Sequence, residues 1–365
     1  MSYQKVCTSG SSKIVELPIV AHYLNNSYSL PNPYEGEILK NEGGLCDVFQ
    51  KGLISDVIKL DVKSMYPSII LGNNITPHSD PLNYFLNNLK ELTQKRLKYK
   101  KLAKTDQSYN PIQSALKIVI NSSYGYLGYK YGLFNNPNGA AKVTQIGRNI
   151  ARSMIDAISK HNGVPIEVDT DGVICKLPKN ISSFEFNTLV QKELSDYPYI
   201  EIEPEYGEYV IKKLFMYKEK SYAYFYMNDL KIIGSAFKNR SNPEFIKDFI
   251  YNSIHNLLKG NEHLIDHEYE DIKNSILSPN IKIESFAKTI RIGKSLAEYC
   301  ELKRKKLPQY EVWLNAGIDN VPRDTPTTFY KSTCDIGYKL SSEFKDDLDT
   351  QYYTNFLTQK YKMFR

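Results

Sequence analysis

The chain has 365 residues, of which 41% are hydrophobic and 24% are charged, and its formal net charge is +6. This composition is typical of a globular protein with two or three packed subdomains, and it excludes a disordered chain. No apolar run approaches membrane-spanning length. The cysteines are scattered without a disulfide framework or zinc spacing, which is typical of a reducing compartment: Cys7, Cys46, Cys175, Cys300 and Cys334.

The first 56 residues show little periodicity and contain many turn-forming residues. Examples are the proline-containing segment 30–36 and the pair Gly43 and Gly44. Turn formers without an apolar period favour irregular backbone over a helix or a strand. We therefore expect residues 1–56 to be extended segments that wrap the core.

An apolar strand follows and ends in an acid. It begins at Val57 and reaches Asp61, after which Ser64 and Pro67 turn the chain towards a helix. A carboxylate at the end of a buried strand is unfavourable unless it is paired or binds a metal ion. Asp61 is therefore a candidate functional residue.

Two helices are predicted between residues 80 and 128. Apolar residues recur in helical steps through segment 80–105, and the polar segment 105–110 interrupts the pattern. Pro111 then begins a second helix, on which Lys117 and Asn121 share one face. Two antiparallel helices joined by a polar turn predict a hairpin that projects from the core.

Basic residues concentrate in segments 90–104 and 291–306. Basic clusters on an otherwise balanced chain suit a polyanion such as a nucleic acid. Two solvated helix faces explain the same pattern, and charge alone favours that second interpretation.

Two carboxylates one residue apart, Asp169 and Asp171, lie between two runs rich in branched apolar residues. The pattern predicts a tight hairpin that follows an amphipathic helix over residues 139–159. Strand alternation would place both carboxylates on one side and Thr170 on the other. Carboxylates that close repel each other unless a cation lies beside them. Taken alone, the pattern fits either a metal site or a turn that uses Asp to cap backbone groups.

The remaining segments contain a further helix and then strands. Residues 182–195 are predicted to be helical, and segment 199–235 is rich in β-forming residues. From residue 236 the pattern becomes mostly helical and ends in an aromatic run at 351–356. We therefore expect a boundary near residues 235 and 236.

Three stretches, in this order, resemble the motifs of family B DNA polymerases. Asp61–Ile70 is similar to the family's first palm motif, D-x-x-S-L-Y-P-S-I-I. Lys117–Gly125 matches its fingers motif, K-x-x-x-N-S-x-Y-G. Asp169, Thr170 and Asp171 match the centre of its Y-G-D-T-D-S motif.

The resemblance implies an α+β fold with the right-hand architecture of polymerases. An antiparallel-sheet palm, a helical-hairpin fingers subdomain and a mostly helical thumb would follow a short lead-in. The implied ranges are 1–56 for the lead-in, 57–79 and 129–235 for the palm, 80–128 for the fingers and 236–365 for the thumb.

The resemblance also implies template-directed addition of deoxynucleotides to a primer 3′ end with two Mg²⁺ ions, or Mn²⁺ in their place. Asp61, Asp171 and the backbone carbonyl of Val62 would bind metal, and Asp169 would support catalysis. The residues implied for the nucleotide are Tyr66, Arg96, Lys100, Lys117 and Asn121. The residues implied for the DNA are Tyr124, Gly125, Lys220, Tyr222, Lys238 and Arg240.

The match departs from the family at three positions. Glu167 and Val168 replace the usual Tyr-Gly, and Gly172 replaces the usual Ser. The family's 3′–5′ exonuclease and N-terminal domains are expected to be absent, so we expect no proofreading. The triplet that begins at Asp266 and ends at Glu268 has acid-x-acid spacing, but it lies in a segment predicted to be a solvated helix.

The expected partners are primer–template DNA and deoxynucleoside triphosphates, with a separate exonuclease, an N-terminal subunit or a processivity factor as further candidates. We expect no membrane association and a cytoplasmic location, at a nucleoid or a viral replication site. The alternatives are a two-metal nuclease, a catalytically degenerate DNA-binding subunit, and a protein-primed polymerase of a virus or a mobile element.

Overall fold

The structure is a computed structural model that describes residues 10–37, 39–278, 281–302, 306–333 and 337–365. Cys7, Cys334 and residues 303–305 of the second basic segment lie outside the described residues. The described chain forms two compact units. One extends to Gln50 and includes Asp56–Val210, and the other comprises Lys51–Ser55 and Ile211–Arg365.

The first unit contains six helices and five strands among the described residues. The helices are α1 Ser11–Asn25, α2 Met65–Gly72, α3 Tyr84–Leu102, α4 Asn110–Leu127, α5 Pro137–Lys160 and α6 Ser183–Glu193. The strands are β1 Cys46–Val48, β2 Gly52–Val62, of which 52–55 belong to the other unit, β3 Val164–Asp169, β4 Gly172–Lys176 and β5 Ile202–Pro204.

The strands of this unit pair in an antiparallel sheet. The order is β1, β3, β4, β2, and β5 pairs with the other edge of β2. Helix α5 packs against β3 and β4 and buries Val143, Ile150, Met154 and Ile158, which share one face. The predicted amphipathic helix and the predicted hairpin are thus confirmed.

The fingers-like pair of helices is also found, as α3 and α4. A short 3₁₀ turn at Gln107–Tyr109 joins them, and the Asp106 side chain caps that turn by accepting a hydrogen bond from the Ser108 amide at 2.9 Å. The two helices pack against each other. The predicted helical hairpin is therefore confirmed, whereas its assignment as fingers stays a prediction.

The prediction of extended segments before residue 57 is wrong for α1. Val15, Ile19 and Tyr23 recur every four residues and are buried in the core of the first unit. Glu16, on the same helix, is buried and accepts a hydrogen bond from the Leu133 amide at 2.9 Å. A short apolar stripe interrupted by Pro18 gave too weak a period to be recognised in the sequence.

The second unit combines a β-meander, helices and a second sheet. Its first strands are β6 Ile211–Lys218, β7 Ser221–Tyr226 and β8 Asp229–Ile233, which pair in that order. The helices are α7 Glu244–Lys259, α8 His263–Ile276, α9 Ile283–Phe286, α10 Leu296–Cys300, α11 Pro308–Asn315 and α12 Thr350–Tyr361. The second sheet contains β9 Lys288–Arg291, β10 Pro326–Lys331 and β11 Tyr338–Leu340.

The second compact unit begins at Ile211, because Phe215 and Ala223 of the meander share a core with Phe249 of α7. The predicted division between palm and thumb near residue 236 stays a prediction. The region after residue 236 contains the six helices and, in addition, the three-stranded sheet. None of the described helices is long and apolar enough to cross a bilayer.

Candidate active site

A cleft of about 540 Å³ in the first unit collects most of the predicted site residues. Nine of them line it: Asp61, Val62, Tyr66, Arg96, Lys100, Lys117, Asn121, Tyr124 and Asp171. Lys63, Ser64, Met65, Pro67, Leu97, Thr170 and Glu203 complete the lining. The three motifs are far apart in sequence, and the fold brings them to one cavity.

The local backbone explains how Asp61 reaches the cleft. Asp61 is the penultimate residue of β2, where it lies opposite Gly172 of β4 and Glu203 of β5. The Val62 amide donates a hydrogen bond to the Asp171 carbonyl at 2.7 Å, which fixes the hairpin loop beside the strand end. Ser64 then adopts a left-handed conformation with φ of 52°, and the chain enters α2. This is an uncommon backbone state for a residue other than glycine, and such residues cluster at functional sites.

The Asp61 carboxylate is largely removed from water. Burial raises its pKa to about 6, although the Lys59 ammonium opposes that shift and the Glu205 carboxylate adds to it. Lys59 Nζ lies 3.3 Å from Asp61 Oδ1 and 2.8 Å from Glu205 Oε2. A buried carboxylate with a raised pKa in a cleft is a functional-site signature.

Asp171 shares this environment. Burial raises its pKa, its own backbone amide and the Lys59 and Lys117 cations oppose the shift, and the Asp169 carboxylate adds to it. Two carboxylates that line one cleft repel each other, and a divalent cation beside them would relieve that repulsion. The geometry thus pairs Asp61 with Asp171.

Asp169 is placed differently, and the expected strand alternation does not extend past it. Strand β3 ends at Asp169, and Thr170 and Asp171 form the two-residue loop, with Thr170 at a φ of 59°. The Asp169 carboxylate Oδ1 accepts hydrogen bonds from the Cys46 thiol and the Thr170 hydroxyl, both at 3.3 Å. Asp169 does not line the cleft. Its position fits a supporting role better than metal binding.

One wall of the cleft is cationic. Arg96 on α3 donates from Nη1 to the Ser64 hydroxyl at 3.0 Å, while its buried Nε has no hydrogen-bond partner among the residues that the structure describes. Burial also lowers the pKa of Arg96. Lys117 and Asn121 lie one turn apart on α4 and are exposed at the same cleft. A partly buried guanidinium with an open donor is prepared to bind an anion.

Two aromatic rings close another side of the cleft. The Tyr66 ring on α2 lies 4.5 Å from the Tyr124 ring on α4, at an interplanar angle of 47°. Burial raises the pKa of Tyr66 to about 12, so its hydroxyl stays protonated at neutral pH. The Tyr124 hydroxyl accepts a hydrogen bond from Asn41 at 3.1 Å. The Tyr66 ring is therefore held by packing.

Sequence reasoning missed four residues at or beside the cleft: Lys59, Ser64, Glu203 and Glu205. Glu203 lies on β5 and Glu205 follows the last residue of that strand, and Lys63 forms ion pairs with Glu203 and with Glu201. Lys100 Nζ also lies 3.9 Å from Glu203. The alternation of Glu201, Glu203 and Glu205 along a strand was a usable signal, because it places three carboxylates on one face.

The carboxylate set is consistent with magnesium. Within the part of the chain that the structure describes, no group of three or more His, Cys, Asp and Glu side chains is arranged to hold a metal ion. Mg²⁺ needs only one or two protein carboxylates, because substrate phosphates and water complete its octahedron. Asp61 and Asp171 would supply that number of ligands. Among the described residues, the buried Oδ1 of Asp61 has no hydrogen-bond partner, and Lys59 Nζ lies 3.3 Å from it as an ion-pair partner.

The remaining predicted DNA-binding residues lie outside this cleft. Gly125 on α4 is exposed, and a Cβ atom there would meet nothing within 4 Å. The others belong to the second unit: Lys220 in the β6–β7 turn, Tyr222 on β7, and Lys238 and Arg240 in the segment after β8. Lys220, Lys238 and Arg240 are exposed, and the Tyr222 ring stacks with the Tyr224 ring at 6.1 Å.

The acid-x-acid triplet of the second unit has structural partners. Asp266 on α8 accepts a hydrogen bond from the Tyr361 hydroxyl at 2.5 Å and forms an ion pair with Arg365. Glu268 accepts a hydrogen bond from Asn252 at 2.7 Å. The triplet lies in α8, so the predicted helix is confirmed. The contacts of Asp266 and Glu268 fit the interpretation of this segment as a helix face.

Comparison with known proteins gives a consistent result. Residues 80–322, about two thirds of the chain, match the model for DNA polymerase family B. The matched range contains the second and third motifs and begins after Asp61. A match of this extent is sufficient to assign the family.

Several polymerases are similar in sequence over part of their length. DNA polymerase 1 of Pyrococcus abyssi is 26% identical over 258 residues, which is 59% of this chain and 32% of that protein. DNA polymerase 1 of Sulfolobus acidocaldarius is 26% identical over 75% of this chain and 35% of its own length. The DNA polymerase alpha catalytic subunit of Xenopus laevis is 29% identical over 52% of this chain and 14% of its own length. The chain thus spans about a third of the archaeal relatives.

The fold is similar to that of a solved enzyme. The family B DNA polymerase of Pyrobaculum calidifontis superimposes with a TM-score of 0.72 at 19% identity, over 99% of this chain and 51% of that one. At this identity the likeness concerns the fold alone, which agrees with the mixed helices and antiparallel sheet described above.

Proposed function

The chain belongs to DNA polymerase family B, and we propose that it is a DNA-directed DNA polymerase that adds deoxynucleotides to a primer 3′ end. One observation carries this proposal: Asp61 and Asp171 share a cleft with the cations Arg96 and Lys117. Nucleotidyl transfer needs both features, a site for divalent cations and a site for a triphosphate. The division into palm, fingers and thumb is part of the same proposal.

The two carboxylates form the metal-binding side of the cleft. Two Mg²⁺ ions, when bound, would stabilise the attacking and the leaving oxygens of an in-line displacement. Asp61 and Asp171 would hold them, with the Val62 carbonyl as an additional oxygen ligand. Partial desolvation raises the pKa of both carboxylates, and a bound cation would favour their charged form.

The cationic wall would bind the triphosphate of the incoming nucleotide. Arg96 offers an unpartnered buried Nε, and Ser64 orients its guanidinium. Lys117 and Asn121 add donors from α4, and Lys100 adds a further charge from α3. Donors from two helices fix the phosphates with respect to Asp61 and Asp171, which is the positioning that phosphoryl transfer requires.

Tyr66 would select the sugar. Its ring is packed against Tyr124 and lines the cleft close to Asp61 in sequence and in space. A ring that cannot move would clash with a ribose 2′-hydroxyl and accept a deoxyribose. Specificity for deoxyribose would then arise from steric exclusion of the ribose 2′-hydroxyl. The Tyr66 ring needs only a packing contact with the deoxynucleotide.

Contacts with the primer–template would come from both units. Tyr124 and Gly125 lie on α4, and the exposed Lys220, Lys238 and Arg240 and the stacked Tyr222 lie in the second unit. Lysine and arginine bind the phosphate backbone without reading sequence. That property suits an enzyme that must act on every sequence.

We also propose that this chain alone does not remove mismatched nucleotides. Asp266 and Glu268 are engaged by Arg365, Tyr361 and Asn252, and they lie on a helix face instead of in a cleft. The test is a mismatched primer with Mg²⁺ and no nucleotides, from which no residue should be removed. Shortening that is lost in the Asp266→Asn variant would contradict the proposal.

The nuclease alternative also uses clustered carboxylates, but it needs neither the cationic wall nor a packed Tyr66. A degenerate DNA-binding role is disfavoured because both candidate metal carboxylates are retained and line one cleft. No feature of the described residues favours protein priming over an ordinary primer.

Primer extension by the purified chain tests the proposed function. Four primed templates that differ only in the first templating base are each offered the four deoxynucleotides singly, with Mg²⁺. We expect extension only with the complementary nucleotide, and loss of extension in Asp61→Asn. Degradation of the primer, or extension that ignores the template, would contradict the proposal.

A further inference from the structure

Lys59 forms a charged cluster with two carboxylates beside the proposed metal site. It precedes Asp61 by two residues on β2, so the two side chains project from the same face of the strand. Lys59 Nζ lies 3.3 Å from Asp61 Oδ1 and 2.8 Å from Glu205 Oε2. The three side chains are only a quarter to a third exposed, at 24%, 30% and 32%. At that exposure, water screens their charges less than it would at an open surface.

Gly172 makes room for this arrangement. It lies opposite Asp61 in the β2–β4 ladder. A Cβ atom at Gly172 would overlap sterically with Asp61 Oδ1 and would lie 3.1 Å from Lys59 Cε. The absence of a side chain at this position therefore allows the Asp61 carboxylate and the Lys59 stem to occupy the same corner of the sheet.

We propose that Lys59 is a positioning residue of the active site, whose ammonium group acts as an internal counterion of Asp61 and weakens metal binding before the substrate arrives. The inference rests on the proposed function, because it takes Asp61 as a metal ligand. The ammonium group restrains the Asp61 carboxylate at the cleft and compensates part of its charge. A divalent cation at Asp61 must therefore bind against a positive charge a few ångströms away.

This role has a consequence for the reaction. A metal site that is weak in the free protein fills together with the nucleotide, because the negative charge of the triphosphate compensates the positive charge of Lys59. Cation and nucleotide would thus bind cooperatively. A purely structural role for Lys59 is the competing explanation, since the Glu205 amide also donates a hydrogen bond to the Lys59 carbonyl at 2.9 Å and ties β5 to β2.

The test measures Mn²⁺ binding to the free protein, without DNA or nucleotide, from the electron paramagnetic resonance signal of unbound Mn²⁺. Lys59→Met removes the charge and keeps most of the stem, and Lys59→Arg restores the charge. We expect the dissociation constant to fall about tenfold in Lys59→Met, the effect of one charge near a partly solvated ion. Lys59→Arg should stay close to the wild type.

The matched control removes a lysine ion pair from another part of the same unit. Lys160 Nζ lies 2.7 Å from Glu193 Oε2 on the surface, so Lys160→Met should leave Mn²⁺ binding unchanged. Asp61→Asn serves as the reference that identifies the site and should weaken binding strongly. Lys59→Gln provides a second neutral variant, and thermal unfolding shows which variants are folded.

The outcomes separate the two proposals. Unchanged or weaker Mn²⁺ binding in folded Lys59→Met and Lys59→Gln, with binding lost in Asp61→Asn, would overturn the role of Lys59 and leave the proposed function intact. Mn²⁺ binding that Asp61→Asn does not change would contradict the metal site itself and with it the proposed function. Tighter binding in both neutral variants, reversed in Lys59→Arg, supports the inference.

Discussion

Gly172 lies directly opposite Asp61 in the β2–β4 ladder, and no side chain fits at Gly172 while the Asp61 carboxylate keeps its place. The sequence contains this glycine where the family usually has serine, and the structure connects that departure with the position of the carboxylate that we propose as a metal ligand. Displacement of Asp61 would change its position relative to Asp171, which lines the same cleft.

The first prediction concerns Gly172. Gly172→Ala should displace the Asp61 carboxylate and lower the rate of Mg²⁺-dependent extension by about 10- to 100-fold, because displacement of a catalytic group by about an ångström has effects of this size. The measurement is single-turnover primer extension. Gly293→Ala is the matched control, since a Cβ atom there meets nothing within 4 Å. Equal rates for Gly172→Ala and the wild type would show that the sheet accommodates the methyl group without moving Asp61.

Tyr66 should determine the choice of sugar. Tyr66→Val shortens the packed side chain and should raise ribonucleotide incorporation relative to deoxyribonucleotide incorporation by about tenfold or more, with a smaller effect on the rate with deoxynucleotides. The ratio of kcat/KM for the two nucleotides measures this. Tyr251→Val changes an exposed tyrosine of the second unit and should leave the ratio unchanged. A constant ratio in Tyr66→Val would mean that the ring only packs against Tyr124.

Activity should fall in mildly acid solution because Asp61 becomes protonated. Burial raises its pKa from 3.8 to about 6 in the metal-free protein. A neutral carboxyl does not bind Mg²⁺, so extension should decrease as the pH falls through about 6. Bound cation favours the carboxylate, and the midpoint should therefore shift to lower pH as the Mg²⁺ concentration rises. A midpoint independent of Mg²⁺ would contradict this assignment.

The same raised pKa has a defined effect on stability. Between pH 3.8 and about 6 the folded, metal-free protein holds a proton on Asp61 that the unfolded chain has released. The free energy of unfolding contributed by this group therefore decreases as the pH rises through that window. Asp61→Asn should lose this pH dependence, which thermal unfolding at several pH values measures in the presence of a chelator.

Part of the candidate site and of the fold could be predicted from the sequence, because the patterns that identify these residues are short and local. Asp61, Asp171 and the pair Lys117 and Asn121 belong to short motifs that keep their spacing, and α5 has a long, regular apolar face. Residues near the site that depend on pairing between distant strands were not predicted. Glu203 reaches the cleft only because β5 pairs with the end of β2, and the ion pair of Lys59 with Glu205 depends on the same register.

Two larger features were missed for physical reasons. Helix α1 buries only a narrow stripe that includes Val15, Ile19 and Tyr23, and Pro18 interrupts its pattern. The second unit begins earlier than the predicted boundary between palm and thumb, because the β6–β8 meander looks in sequence like a continuation of the preceding strands. Its apolar residues pack with α7, a contact that no local pattern reports.

DNA binding should depend on salt, because each phosphate that is neutralised releases counterions. Lys238→Gln or Arg240→Gln should flatten the plot of log K against log salt concentration by about one unit if the residue contacts a phosphate. Fluorescence anisotropy with a labelled primer–template measures the slope. Lys160→Gln is the control for the loss of a surface charge. A wild-type slope near zero would argue against a duplex-binding surface in this chain.

The most direct test of the central claim compares Asp171→Asn with Asp169→Asn in single-turnover extension with Mg²⁺. Asp171 lines the cleft with Asp61, whereas Asp169 is not among the lining residues and its carboxylate accepts hydrogen bonds from Cys46 and Thr170. We predict a loss of at least about 100-fold in Asp171→Asn and less than about tenfold in Asp169→Asn, with DNA affinity close to the wild type in both. Near-normal extension by Asp171→Asn, or a greater loss in Asp169→Asn, would contradict the assignment of Asp61 and Asp171 as the metal-binding pair of a polymerase active site.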